Sequence, residues 1–114
     1  MKDNFVITNL IKKLIKDFDT YLTNFPHKEI ELKREIMNTS YDMLKITIEA
    51  NTTYDNNKRL DIQDKIISYI KYLDFLVNCC FEKKIINGKK YIRFGENLDY
   101  LLRHVLGWRK TSRA

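Results

Sequence analysis

Apolar residues recur along the chain at helical rather than strand spacing. Ile7, Ile11, Leu14, Phe18, Tyr21 and Phe25 follow steps of 4-3-4-3-4, which puts one stripe on one face of a first helix. Phe25-Pro26 ends that helix, because proline pushes the preceding residue out of the helical region and is welcome in the first turn of the next helix. A second helix is expected over about 26–50, with Ile30, Ile36, Met37, Tyr41, Leu44 and Ile48 facing inward. Its middle, Asn38-Thr39-Ser40, is a weak helix former that packing must hold. The polar stretch 51–57 is the clear loop, and its Asp and Asn residues are natural N-caps.

A third helix follows over about 58–86, burying Leu60, Ile66, Ile67, Ile70, Leu73, Val77, Cys80 and Phe81 and exposing Asp61, Asp64, Lys65 and Lys71. Asn87-Gly88 stops it by offering a left-handed C-cap. The competing local reading of Asn-Gly is a type I′ hairpin joining 82–86 to 89–92. The last segment favours helix, since Tyr91, Phe94, Leu98, Leu101, Val105 and Trp108 step 3-4-3-4-3, a period no strand sustains.

Four amphipathic helices with short connections predict an all-α fold, an antiparallel up-down-up-down four-helix bundle, in one domain over 1–114. Helices of about 20 residues are roughly 30 Å long, so a rod is expected. Gly95 within the last helix costs about 1 kcal/mol relative to Ala and marks either close approach of another chain or helix or a plain surface position.

With 44% apolar and 32% charged residues, the composition fits one small globular domain. So short a chain buries a limited share of its surface, which makes oligomerisation a plausible source of stability. No apolar run spans a bilayer and no hydrophobic signal segment opens the sequence, so no membrane partner and a cytoplasmic location are expected. Cys79 and Cys80 are adjacent, a poor geometry for bridging each other, and read as reduced core-filling thiols.

Enzymatic signatures are missing from the sequence. It contains no phosphate loop, dinucleotide turn, Cys-x-x-Cys pair or His-Glu-x-x-His helix. Asn24 and Leu101 stand three residues before His27 and His104, so the Glu-x-x-His ligands of di-iron bundles are not there. His27 reads as a solvated residue and His104 as a flank of the apolar stripe, with phosphate contact as its functional alternative. The ribonucleases of the HEPN type place a His four to six residues after an Arg, whereas here Arg93 precedes His104 by eleven and Arg103 adjoins it. No catalytic residue, metal or cofactor is assigned.

Charge is unevenly distributed. Residues 1–81 carry 12 basic and 12 acidic side chains, and residues 82–114 carry 9 and 3, so the whole excess of +6 lies in the last third. That asymmetry points to an anionic partner. The candidate binding residues are Lys83, Lys84, Lys89, Lys90, Arg93, Arg103, Arg109 and Lys110, with Arg113 beyond them. Lys83 and Lys84 also suit a helix C-terminus through the macrodipole. Tyr91, Phe94 and Trp108 fall on the apolar stripe and read as core or interface rather than base-stacking groups.

The segment Ile85-Ile86-Asn87-Gly88-Lys89-Lys90-Tyr91, with Leu101-Leu102-Arg103-His104-Val105-Leu106-Gly107-Trp108-Arg109-Lys110 after it, resembles the accessory variability determinant family of diversity-generating retroelements. Phe25-Pro26 and Ile48-Glu49-Ala50 are similar to that family as well. One glycine, Gly107, stands before Trp108 where the family commonly has two, and Arg103-His104 stands where a small residue is commoner. The resemblance implies a non-catalytic homopentamer that binds a reverse transcriptase and its template RNA or cDNA during mutagenic reverse transcription. It also implies structural or interface roles for Gly107 and Trp108, and contact between the basic residues and polymerase or nucleic acid. Four-helix proteins encoded in intervening sequences of ribosomal RNA genes are a related alternative, acting as an assembly scaffold without direct nucleic-acid binding.

Overall fold

The computed structural model describes residues 3–112. They form α1 (Asp3–Tyr21), α2 (Ile30–Thr52), α3 (Asn56–Glu82) and α4 (Gly88–Ser112), with a 3-10 turn over His27–Glu29 and no strand among the described residues. The fold is therefore all-α, and the hairpin alternative is excluded.

Contacts between helices set their directions. Asn51 Nδ2 on α2 donates to Thr8 Oγ1 on α1 at 3.2 Å. Tyr72 on α3 donates to Glu35 on α2, Tyr91 on α4 to Asn78 on α3, and Arg109 on α4 to Asp64 on α3. The Phe18 ring on α1 lies 4.9 Å from that of Phe94 on α4. In each pair an early position meets a late one, so neighbouring helices run antiparallel and α4 closes the bundle against α1. The result is a rod of 45 × 22 × 19 Å.

The core follows the α4 stripe closely: Phe94, Leu98, Leu101, Val105 and Trp108 are buried, and Tyr91 is half-buried. Burying such side chains contributes about 1.5–3 kcal/mol each, offset by chain entropy. In α1, Ile7, Ile11, Leu14 and Phe18 are buried as the spacing predicts. That helix ends at Tyr21 rather than at Phe25, and Leu22, overlooked in the periodicity, is buried one residue beyond it. Thr23 bonds back to the Thr20 carbonyl at 3.1 Å, a side-chain competitor for the backbone that favours a turn over a further helical turn. Pro26 precedes the 3-10 turn instead of opening α2.

The inward face of α2 differs from expectation. Ile36, Thr39, Ser40, Met43, Thr47 and Ala50 are buried. Ile30, Tyr41 and Ile48 are exposed, and Met37 and Leu44 half-buried. Ser40 and Thr47 can face the core here because they donate to the Ile36 and Met43 carbonyls, both at 2.7 Å, so neither hydroxyl is left unpaired.

Asp55 caps α3 as predicted, its Oδ1 accepting from the Asn57 and Lys58 amides at 3.0 and 3.3 Å. The far end of α3 is a correction. It stops at Glu82, with the Lys84 amide donating to the Phe81 carbonyl at 2.9 Å and the Ile85 amide to the Cys80 carbonyl at 2.8 Å. This pair of bonds is a Schellman motif, and Lys84 fills the left-handed position, φ 62°, that glycine ordinarily takes. Asn87 instead opens α4, its side chain accepting from the Lys90 amide at 2.8 Å, and Gly88 does not have positive φ. The Asn-Gly signal thus marked a helix start, not a helix stop. Phe81, expected in the core, is 40% exposed. Ile62, Gln63 and Leu76 complete the buried face of α3, and the remaining Leu60 and Ile67 are half-buried.

Candidate nucleic-acid interface

The eight predicted basic residues do not form one patch. α4 rises about 1.5 Å per residue, so Lys89 and Lys110 lie roughly 30 Å apart, at opposite ends of the rod. Arg113 lies outside the described residues. Three of the eight are matched by carboxylates: Lys83 by Glu29 at 3.2 Å, Arg103 by Asp99 at 2.7 Å, and Arg109 by Asp64. Asp64 accepts from both Nε and Nη2 of Arg109, and this hydrogen bonding holds the guanidinium charged further above its ordinary range. These residues tie elements together or lie along the rod with their charge balanced.

Lys84, Lys89, Lys90 and Arg93 are different. All four lie at the end of the rod where α3 turns into α4, and none has an ion-pair partner among the described residues. Two open grooves meet there. One, of about 660 Å³, runs between the last turn of α1 and the first turns of α4, and includes Tyr21, Asn87, Lys89, Lys90, Arg93 and Glu96. The other, of about 780 Å³, lies over the α3–α4 turn beside Phe81, Glu82, Lys84, Asn87 and Lys90. Asn87 and Lys90 belong to both.

Tyr21 organises the first groove. Its ring packs edge-on against Phe94, with centroids 6.3 Å apart. Lys90 Nζ and Arg93 Cζ lie over the ring at 5.3 and 5.6 Å from its centroid. A cation–π contact orients a cation without neutralising it, so both positive charges remain available to an anion. In the second groove Phe81 stacks on Tyr91 at 4.3 Å with rings 12° apart. Tyr91 thereby serves as the backing of an exposed ring, while Phe94 and Trp108 are core, as their spacing predicts.

Tyr21 and Phe81 were not candidates from sequence, because both sit on apolar stripes. Nothing in the apolar spacing separates Phe81 from the buried residues of its stripe. Trp108 is 3% exposed and structural. Gly107 has open space where a Cβ would stand, so nothing among the described residues requires a glycine there. His104 is half-buried against the Tyr100 ring, with centroids at 4.7 Å, and His27 is exposed in the 3-10 turn. Cys80 is buried, its thiol pushed up to about 12 by burial and then by neighbouring Cys79 and Glu29. Cys79 is half-buried, and both cysteines are free. No helix among the described residues is long and apolar enough to cross a membrane. Compared with protein-family models, curated proteins and solved structures, the chain finds no match.

Proposed function

We propose that this chain is a non-catalytic nucleic-acid-binding bundle that serves as the accessory protein of a diversity-generating retroelement, contacting its reverse transcriptase and template. The observation that carries the nucleic-acid half is the set of Lys84, Lys89, Lys90 and Arg93 around two joined grooves, with no carboxylate among the described residues paired to any of them. Phosphate backbones are the polyanions that such a surface neutralises. The polymerase half is supported by the sequence resemblance alone, carried by the 85–110 segment with Phe25-Pro26 and Ile48-Glu49-Ala50. Purified protein mixed with labelled single-stranded RNA, and separately with the reverse transcriptase of such an element, tests both halves. Retention of the RNA and co-elution with the polymerase are expected; failure of either removes that half.

A second reading, an assembly scaffold, has its own observation. The outward residues of α2, Ile30, Met37, Tyr41, Leu44 and Ile48, repeat at helical spacing and remain exposed or half-buried. Contiguous apolar surface of this kind marks protein contact. Light scattering separates the states: the retroelement reading expects about five times 13.8 kDa, reduced by Ile48→Glu if this face joins the copies. A monomer at all concentrations would contradict assembly through α2.

A further inference from the structure

We propose that the two grooves at the α3–α4 end form one continuous track for a single-stranded nucleic acid, with Phe81 as a base-stacking platform and Tyr21 as the residue that positions the phosphate-binding cations. The proposal rests on the nucleic-acid reading above and assigns it a path, a strandedness and two residues outside the basic set.

The grooves meet at Asn87 and Lys90. A chain crossing from one to the other passes Lys84, Lys90, then Lys89 and Arg93, while bending around the end of a rod only 22 × 19 Å across. A flexible single strand follows such a path. A duplex, stiff over about 50 nm, does so only at an elastic cost. Single-strand sites combine a cationic track with aromatic faces on which bases stack. Phe81, backed by Tyr91 and 40% exposed in the same groove as Lys84 and Lys90, supplies such a face. Tyr21 acts indirectly: Lys90 and Arg93 both lie against its ring, so their rotamers are ordered before the phosphate arrives. Glu82 and Glu96 border the track and limit it to the strip between them.

Lys84 adds an independent observation. A lysine occupies the one left-handed non-glycine position among the described residues, a conformation that costs energy and clusters at functional sites. Here that side chain borders the track.

Fluorescence anisotropy with a labelled oligothymidylate, a duplex of equal length and a nucleoside triphosphate as competitors tests the assignment. The single strand should bind at least about fivefold more tightly than the duplex, and the triphosphate should compete weakly because it fills only part of the track. Phe81→Leu and Tyr21→Leu keep the net charge, and each should weaken single-strand binding at least about fivefold. Lys71→Gln, an exposed change on α3 away from the track, should weaken it less than twofold. Lys84→Gly should weaken binding while raising the unfolding midpoint, a combination that loss of fold cannot produce. Equal affinity for duplex, or tighter binding of polyglutamate than of the oligonucleotide, would overturn the proposal. Loss of binding on removing the lysines without any effect of Phe81→Leu and Tyr21→Leu would also overturn it, leaving diffuse nucleic-acid binding intact. No binding of any nucleic acid would overturn this proposal and the reading beneath it.

Discussion

Replacing Lys84 with glycine should make the protein more stable. Lys84 sits at φ 62°, where an L side chain brings its Cβ against the following carbonyl at a cost of about 1–2 kcal/mol. Glycine lacks that contact but loses more freedom on folding, about 0.5–1 kcal/mol. The two backbone bonds of the motif, at 2.9 and 2.8 Å, involve no side-chain atom of residue 84 and survive the change. The net expectation is a gain of about 0.5–1 kcal/mol. With an unfolding entropy of roughly 2.1 cal/mol/K per residue over 114 residues, that gain raises Tm by about 2–4 °C. Urea titration monitored by circular dichroism, run beside Lys84→Ala, separates the backbone effect from the loss of charge. Lys84→Ala keeps the unfavourable φ and should stay within about 0.5 kcal/mol of the original. A Lys84→Gly protein no more stable than Lys84→Ala would refute the argument that residue 84 carries backbone strain.

Other consequences are open to measurement. Gln63 is fully buried, and its Oε1 has no partner among the described residues while Nε2 donates to Ser112 at 2.9 Å. Gln63→Leu should therefore raise stability by about 1 kcal/mol in urea titration, and a loss would show that the amide is satisfied in solution. Gly95 has nothing within 4 Å of where a Cβ would stand, so Gly95→Ala should add about 1 kcal/mol, and destabilisation would contradict that open space. A thiol reagent should modify Cys79 in the native protein and Cys80 only on unfolding. The native Cys80 thiol keeps its proton to about 12, against 9.0 ordinarily, so between those values the unfolded chain binds fewer protons. Its contribution to stability is complete below about pH 9 and falls as the pH rises toward 12. Cys80→Ala should flatten that part of the stability profile, and an unchanged profile would count against a buried thiol.

The helical period made the architecture legible. Phe94, Leu98, Leu101, Val105 and Trp108 could be placed in the core from spacing because they form one unbroken apolar stripe along α4. α2 has two, and the bulkier one, through Tyr41 and Ile48, is the outer one. Hydrophobicity alone could not reveal that Thr39, Ser40 and Thr47 face inward. Asn87-Gly88 misled for a related reason: the pair suits a helix end and a helix start equally, and only the backbone shows Lys84 in the left-handed position. The basic tail was visible as a composition bias, but pairing is a tertiary property. Nothing local links Arg109 to Asp64, 45 positions away, or Lys83 to Glu29. The sequence therefore offered eight equivalent cations where the fold leaves four together and without carboxylate partners.

The central claim is that these four bind phosphates. Its most direct test is the salt dependence of single-strand affinity between 50 and 200 mM monovalent salt, for the native chain and for the variant with Lys84, Lys89, Lys90 and Arg93 all changed to Gln. Each phosphate neutralised on a single strand contributes about 0.7 to the slope of log K against log salt. The variant should thus lose about 3 from the slope, whereas changing Arg103, Arg109 and Lys110 to Gln should remove less than 1. Equal slopes for the native chain and the fourfold variant would contradict the account.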